Sequence, residues 1–160
     1  MEGDKKVITV VCTGNTCRSP MAERLLRHAL EASNSGLNDF IVRSAGVSAF
    51  SGDAASGNAV RALKKVGLDL SDHRSRPLTG QLLEVSDLIL TMTSSHKDII
   101  LSTNPELELP IHRFREWVKK GSKEVPDPFG GPLDIYVETR DSLAEAIPSI
   151  ITFIKKTFPK

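Results

Sequence analysis

The chain has 160 residues, of which 39% are hydrophobic and 26% charged, and these values favour a single globular domain over residues 1–160. Its 21 basic and 20 acidic residues give a net charge of +1, so we expect no nucleic-acid or membrane partner. The apolar runs are too short for a membrane-spanning helix and residues 1–5 lack the apolar core of a signal peptide, which predicts a cytoplasmic protein.

Strand and helix patterns alternate along the chain. Apolar, β-branched runs predict strands at Lys6–Val11, Phe40–Ser44, Asp87–Met92 and Leu109–Ile111. Helices are predicted at Pro20–Ala32, Ala54–Val66, Leu82–Ser86, His96–Leu101, Arg113–Lys120 and from Asp134 onward. Gly67 is expected to cap the second helix, and Pro148 to kink or split the last one. The alternation predicts an α/β fold, with a parallel sheet covered by helices on both faces.

The turn between the first strand and the first helix carries the spacing Cys-x5-Arg, from Cys12 to Arg18. Such a turn lies at the carboxyl ends of the strands, where backbone N–H groups and the helix dipole favour an anion. The same field favours a thiolate at Cys12, and Arg18 can bind two oxygens of a phosphate or arsenate. Ser19 is expected to cap the helix before Pro20 and to donate its hydroxyl to the Cys12 sulfur. The pattern predicts a cysteine-dependent phosphatase.

Two other interpretations agree less well with the residues of this turn. A nucleotide-binding P-loop is excluded, because such a loop ends Gly-Lys-Ser/Thr and this one ends Thr16-Cys17-Arg18. A structural cysteine in a tight turn would leave Arg18 without a role. The chain has two cysteines, both in this turn, and their spacing matches neither a disulfide framework nor a zinc site.

A phosphatase also needs a general acid to protonate the leaving group. The candidate is Asp127, in the segment Val125-Pro126-Asp127-Pro128-Phe129-Gly130-Gly131. Two prolines restrict its backbone, and the glycines permit a close approach of the chain. The alternative is an aspartate that only stabilises a Pro/Gly-rich turn.

Over essentially its whole length the chain resembles the low-molecular-weight protein tyrosine phosphatases. The matching segments are 12–20, Met21-Ala22-Glu23, Arg43-Ser44-Ala45-Gly46, Asp72-His73 and Asp127-Pro128. The resemblance implies a four-stranded parallel sheet with a phosphate-binding loop after the first strand. It also implies Cys12 as the nucleophile, Arg18 as the phosphate clamp, and Asp127 as the acid and then the base.

Other residues are expected to bind the substrate or to support the loop. The resemblance implies that Asn15 holds the shape of the loop through hydrogen bonds reaching Ser44, with Ser19 and His73 in support. For His73, a surface or capping role is the alternative. The expected substrate-binding residues are Thr13, Gly14, Asn15, Thr16, Cys17 and Phe129. No Asp, Glu or His cluster has metal-ligand spacing, so we expect no metal or other cofactor, and a monomer that acts on phosphorylated proteins.

Two positions depart from the tyrosine-specific pattern. Thr16 stands where the family usually has a bulky aliphatic residue, and Phe129-Gly130-Gly131 follows Asp127-Pro128 where a tyrosine or an aromatic pair is usual. Both features resemble the protein-arginine phosphatase branch. A threonine hydroxyl can accept a hydrogen bond from a phosphoguanidinium, and an ionised Asp127 can pair with it. The alternative is a tyrosine phosphatase in which Thr16 merely replaces an aliphatic residue of similar volume.

Two more distant functions fit less well. Thioredoxin-coupled arsenate reductases have a very similar loop, but they need further cysteines down the chain, which this sequence lacks. A phosphoprotein-binding module would usually lose the nucleophile or the acid. Cys17 has two interpretations of its own: a small packing residue, or a partner that captures oxidised Cys12 as a disulfide.

Overall fold

The computed structural model describes residues 5–33 and 39–159. Residues 1–4 lie outside that part. They make up most of the N-terminal segment that lacks the apolar core of a signal peptide. The strands are β1 (Lys6–Cys12), β2 (Phe40–Gly46), β3 (Leu88–Thr91) and β4 (Ile111–Arg113), and the helices are α1 (Arg18–Ala32), α2 (Gly57–Lys64), α3 (Gly80–Glu84), α4 (Ser94–Thr103) and α5 (Leu133–Thr157). These strands form one parallel sheet in the order β2-β1-β3-β4, which confirms the predicted fold class.

Helices cover both faces of the sheet. Successive side chains of a strand point to opposite faces, so each strand contributes apolar side chains to two cores. Ile8 and Val10 pack in the core formed with α1, α2 and α5. Val11 and Ile89 pack on the other face with Leu83 of α3 and with α4. Cys12 is therefore the last residue of a central strand that is buried on both faces.

The strand register brings the candidate residues to one edge of the sheet. Cys12 pairs with Gly46 across β1 and β2, and Val11 pairs with Thr91 across β1 and β3. The segments after β1, β2 and β3 therefore start side by side. The segment after β1 is also the turn in which an anion was expected to bind.

The predicted helix over Arg113–Lys120 is wrong. The strand β4 extends to Arg113, and turns and bends follow it. Phe114 is fully buried and its N–H donates to Thr91 O, so the chain stays attached to the sheet. The buried Arg115 side chain donates to the carbonyl oxygens of Ser122 and Ser142, which are 2.6 and 2.7 Å away. These bonds hold an irregular loop in place of a helix.

Three predictions about helix ends and breaks differ from the structure in detail. The helix α2 ends at Lys64 with Lys65 as its C-cap, so Gly67 is not the cap residue itself; with φ +81° it closes the turn that follows, where its N–H donates to Lys64 O. Pro148 does not split the last helix, since α5 continues through it. Ser19 is not the N-cap of α1, because the helix already begins at Arg18. Within the described residues, no helix is both long and apolar enough to cross a membrane.

Candidate active site

The turn from Cys12 to Arg18 wraps around the Cys12 sulfur. The backbone N–H of Asn15 donates to Sγ at 3.3 Å, and the Ser19 hydroxyl lies 2.9 Å from the same atom. Both groups can donate hydrogen bonds to a thiolate. The predicted contact between Ser19 and Cys12 is therefore present, although Ser19 makes it from the first turn of α1 and not from the cap position.

Asn15 holds the turn in shape with every polar group that it has. Its φ of 57° lies in the left-handed region, which asparagine tolerates better than most residues. Its Nδ2 donates to Ser19 Oγ at 2.9 Å and to Ser44 Oγ at 3.0 Å. Its Oδ1 accepts from the Arg76 N–H at 2.9 Å, and its carbonyl lies 2.7 Å from His73 Nε2. The turn is thereby tied to β2 and to the segment before α3.

The glycine at the end of β2 lets the turn approach the sheet. A Cβ at Gly46 would overlap the carbonyl oxygen of Thr13 and lie 3.0 Å from the Asn15 nitrogen. The N–H of Ser48 also donates to Thr13 O at 2.9 Å. Only a residue without a side chain fits at this point of β2.

The Arg18 guanidinium is buried at the start of α1. One terminal nitrogen donates to Val125 O at 2.8 Å, and the other donates to Thr13 Oγ1 at 3.3 Å. The latter nitrogen also lies 3.8 Å from Asp127 Oδ2. Arg18 thus connects the first turn to the segment that carries the candidate acid.

These side chains surround a cavity of about 230 Å³. Its floor includes the buried Cys12, and the Asp127 carboxylate, half-exposed, lies on its wall. Phe129 is 74% exposed at the same cavity, and its N–H donates to Asp127 Oδ1 at 3.1 Å. Asp127 therefore stabilises its own turn with one oxygen and directs the other toward Arg18. The full lining is Cys12, Thr13, Gly14, Thr16, Cys17, Arg18, Asp127 and Phe129.

Cys17 is buried beside the cavity, and its thiol is free like that of Cys12. Its sulfur lies 3.4 Å from Ser56 Oγ and 3.4 Å from Tyr136 OH. Burial, followed by the hydrogen bond with Cys17, raises the pKa of Tyr136, so the phenol stays protonated. The packing role expected for Cys17 is visible here, and the disulfide with Cys12 stays a prediction.

The structure brings the predicted site residues together, but Asn15, predicted to bind substrate, is fully buried and does not line the cavity. His73, for which a surface position was the alternative, is 6% exposed and contacts the Asn15 carbonyl. Burial lowers the pKa of His73, which favours its neutral form. Ser44 donates its hydroxyl to Glu23 Oε1 at 2.7 Å, and Arg27 holds the other oxygen of that buried carboxylate.

His96 also lies at this site, although no prediction from the sequence placed it there. Its Nε2 lies 2.9 Å from Thr13 Oγ1, and its pKa is lowered to about 4, first by burial and then by the Arg18 guanidinium. The segment Met92-Thr93-Ser94-Ser95-His96 follows the third strand directly. Polar residues just after a strand of a parallel sheet lie at its ligand-binding edge, and that pattern would have indicated His96.

The arrangement places a thiol, a cation and a carboxylate around one cavity, in the turn between a parallel strand and a helix. Such a cavity can bind an oxyanion and direct a nucleophile at its central atom. The carboxylate is placed to exchange a proton at the side that faces solvent.

Comparisons with known proteins agree with this geometry. Residues 7–160 match the family described as Low molecular weight phosphotyrosine protein phosphatase. A protein-arginine-phosphatase of Bacillus subtilis is 44% identical over 149 residues, or 93% of this chain and 97% of the relative. The low molecular weight protein-tyrosine-phosphatase Etp of Escherichia coli is 35% identical over 139 residues, or 87% of this chain and 88% of the relative.

Solved structures give the same result. A YwlE mutant from Bacillus subtilis is 43% identical, has a TM-score of 0.84, and covers 94% of this chain and 99% of its own. A YwlE arginine phosphatase variant with a phosphorylated active-site serine has a TM-score of 0.85 at 44% identity, with 94% of this chain and 96% of its own covered. The chain belongs to the low molecular weight phosphotyrosine protein phosphatase family, whose members are metal-independent cysteine phosphatases.

Proposed function

We propose that the protein is a protein-arginine phosphatase, which hydrolyses phosphoarginine on proteins through a covalent phosphocysteine intermediate. The observation that carries this proposal is the hydroxyl-bearing Thr16 in the lining of the candidate cavity, together with Cys12 and Asp127. Within the described residues, the only hydrogen-bond contact of Thr16 Oγ1 is a long one, 3.8 Å to Cys17 Sγ. That hydroxyl therefore remains available to a ligand.

The first step joins the phosphoryl group to the enzyme. The Cys12 thiolate attacks phosphorus in line with the P–N bond, an S–P bond forms, and the bonding pair of the P–N bond leaves with the guanidine nitrogen. Asp127 donates its proton to that nitrogen. Arg18 and the loop N–H groups bind the three phosphoryl oxygens throughout the step. The half-exposed position of Asp127 suits a proton donor that must reach the leaving group above the cavity floor.

The second step releases phosphate. The carboxylate of Asp127 takes a proton from water, the water oxygen attacks phosphorus, and the S–P bond breaks to return the thiolate. The relative with a phosphorylated active-site serine supports a covalent intermediate on the nucleophile of this fold. Replacing Cys12 with serine should abolish turnover while phosphate still binds, because the N–H groups and Arg18 remain. Activity within tenfold of the wild type would contradict the covalent mechanism.

The preference for arginine follows from hydrogen bonding. A phosphoguanidinium carries N–H groups near the scissile bond, and Thr16 Oγ1 can accept from one of them. An aryl phosphate has no donor there, so it gains nothing from that hydroxyl. A pocket built around such a bond discriminates against substrates that cannot make it. The exposed Phe129 offers a flat surface at the opening, which can stack on a guanidinium plane.

Paired substrates and variants test this assignment. We would measure kcat/KM on two peptides of equal sequence, one with phosphoarginine and one with phosphotyrosine. Wild type should prefer phosphoarginine. T16V removes the hydroxyl without adding length, T16I adds bulk as well, and T16S keeps the hydroxyl as the matched control.

T16V and T16I should shift the ratio of the two activities toward phosphotyrosine by a few tens-fold, or about 2 kcal/mol of differential transition-state binding. T16S should keep most of the arginine preference. A wild-type preference for phosphotyrosine, or a ratio that stays flat in T16V and T16I, would assign the protein to the tyrosine-specific members of its family.

A further inference from the structure

The hydrogen bonds of His96 fix where its proton lies. The Thr93 backbone N–H donates to His96 Nδ1 at 3.2 Å, in the capping box that begins α4, and the Thr93 hydroxyl, 3.1 Å from Nδ1, can donate to the same atom. A backbone N–H can only donate, so Nδ1 accepts and the proton of the neutral ring lies on Nε2. The ring is 4% exposed, and the neutral form is the one favoured by burial beside Arg18.

His96 therefore donates from Nε2 to Thr13 Oγ1, at 2.9 Å. Arg18 donates to the same oxygen at 3.3 Å. A hydroxyl oxygen has two lone pairs and one proton, so these two donors occupy both of its acceptor positions. The Thr13 hydroxyl can still donate its own proton, and that proton has no acceptor among residues 5–33 and 39–159.

The position of Thr13 shows where that proton can go. Thr13 follows the nucleophile, is exposed, and lines the same cavity as Cys12 and Arg18. An oxyanion bound above the Cys12 sulfur is the nearest acceptor that the reaction would bring to this hydroxyl. A hydroxyl that already accepts from a cation is also a better donor, because the two bonds polarise each other.

We propose that the Thr13 side chain donates a hydrogen bond to the phosphoryl group, and that His96 is the positioning residue that directs this donor. The imidazole occupies the second lone pair of Oγ1, which leaves the hydroxyl only the donor role. The inference rests on cysteine phosphatase chemistry, and it holds for either leaving group.

Substitutions at Thr13 test the donor itself. We would measure kcat/KM with para-nitrophenyl phosphate, whose hydrolysis does not depend on arginine specificity, and inhibition by orthovanadate. T13V keeps the shape and removes the hydroxyl, so both catalysis and vanadate affinity should fall by about tenfold to a hundredfold, as for loss of one charge-assisted hydrogen bond. T13S is the matched control and should stay within a few-fold of the wild type. T13V activity within about threefold of the wild type would overturn the proposal.

Two substitutions separate the roles of His96 in the helix cap and at Thr13. In H96N the amide oxygen can replace Nδ1 and keep the cap, whereas the Nε2 donor is lost. In H96Q the amide nitrogen can replace the Nε2 donor, whereas the cap is lost. We expect H96N to keep its melting temperature and lose activity, and H96Q to show the reverse.

The double variant T13V/H96N gives the decisive measurement. If His96 acts through the Thr13 hydroxyl, H96N should add little to the loss already caused by T13V, and this non-additivity is what a double-mutant cycle measures. A merely structural histidine would lower activity by the same factor in both backgrounds, and that result would overturn the proposal. The Thr13 variants leave α4 unchanged, so they test the donor even if the His96 variants fold poorly.

Discussion

Replacing Asn15 with alanine should weaken both the fold and the loop. The change removes the hydrogen bonds to Ser19 Oγ, to Ser44 Oγ and from the Arg76 N–H, which measure 2.9, 3.0 and 2.9 Å. At about 1 kcal/mol for each buried bond, their loss lowers the free energy of unfolding by about 3 kcal/mol. Alanine at a φ of 57° adds about 1 kcal/mol of backbone strain. The sum, about 4 kcal/mol, corresponds to a melting temperature lower by about 10 °C in a domain of this size.

Two measurements check this estimate. Circular dichroism gives the melting temperature, and kcat/KM should fall at least about a hundredfold, because misaligned N–H groups stabilise the transition state poorly. Asn15→Gly is the matched control, since it loses the same bonds but adopts positive φ without strain. It should therefore be more stable than Asn15→Ala by about 1 kcal/mol. Melting of Asn15→Ala within 2 °C or so of the wild type would refute the reasoning from these bonds.

Other perturbations have equally definite outcomes. Gly46→Ala should reduce kcat/KM at least about tenfold by displacing the loop backbone, whereas Gly80→Ala, where a Cβ meets nothing within 4 Å, should not. Asp127→Asn should lower turnover roughly a hundredfold on substrates with poor leaving groups and less on good ones, and an equal loss on all would indicate a structural role. Peroxide should inactivate the wild type reversibly, and Cys17→Ser should recover less activity with a reductant; full recovery would leave Cys17 a packing residue. Because the pKa of His96 falls from 6.5 to about 4 on folding, the free energy of unfolding should decrease as the pH falls through that range, and H96N should flatten this decrease in chemical denaturation experiments.

The parts of the fold that depend on local pattern were predictable. Buried strands such as β3 (Leu88–Thr91) show as apolar runs, and the turn after the first strand shows through the spacing from Cys12 to Arg18. The irregular loop after β4 was not predictable, because it depends on Arg115 binding the carbonyls of Ser122 and Ser142. An apolar and basic pattern over that segment is equally compatible with a short helix.

Local sequence patterns also predicted only part of the candidate active site. The loop residues lie close together in sequence, the Pro/Gly-rich segment pointed to Asp127, and resemblance supplied Ser44 and His73. His96 was missed because its contact with Thr13 depends on β3 lying beside β1, and the strand order is a property of the whole sheet. The polar run after β3 marks the ligand-binding edge of the sheet, but local spacing does not show that this histidine contacts Thr13.

The phosphate loop takes its shape from residues that are far away in the chain, so the enzyme becomes active late in folding. The loop is held by partners 29, 58, 61, 83 and 107 positions away in the chain, at Ser44, His73, Arg76, His96 and Val125. Contacts so distant form late, because each requires a long segment of chain to be closed first. We therefore expect oxyanion binding to appear only with the last cooperative step of refolding, after most secondary structure has formed. During synthesis, a nascent chain that ends before Val125 would contain the nucleophile without a working cradle, so a reactive cysteine is assembled only after that residue has been added.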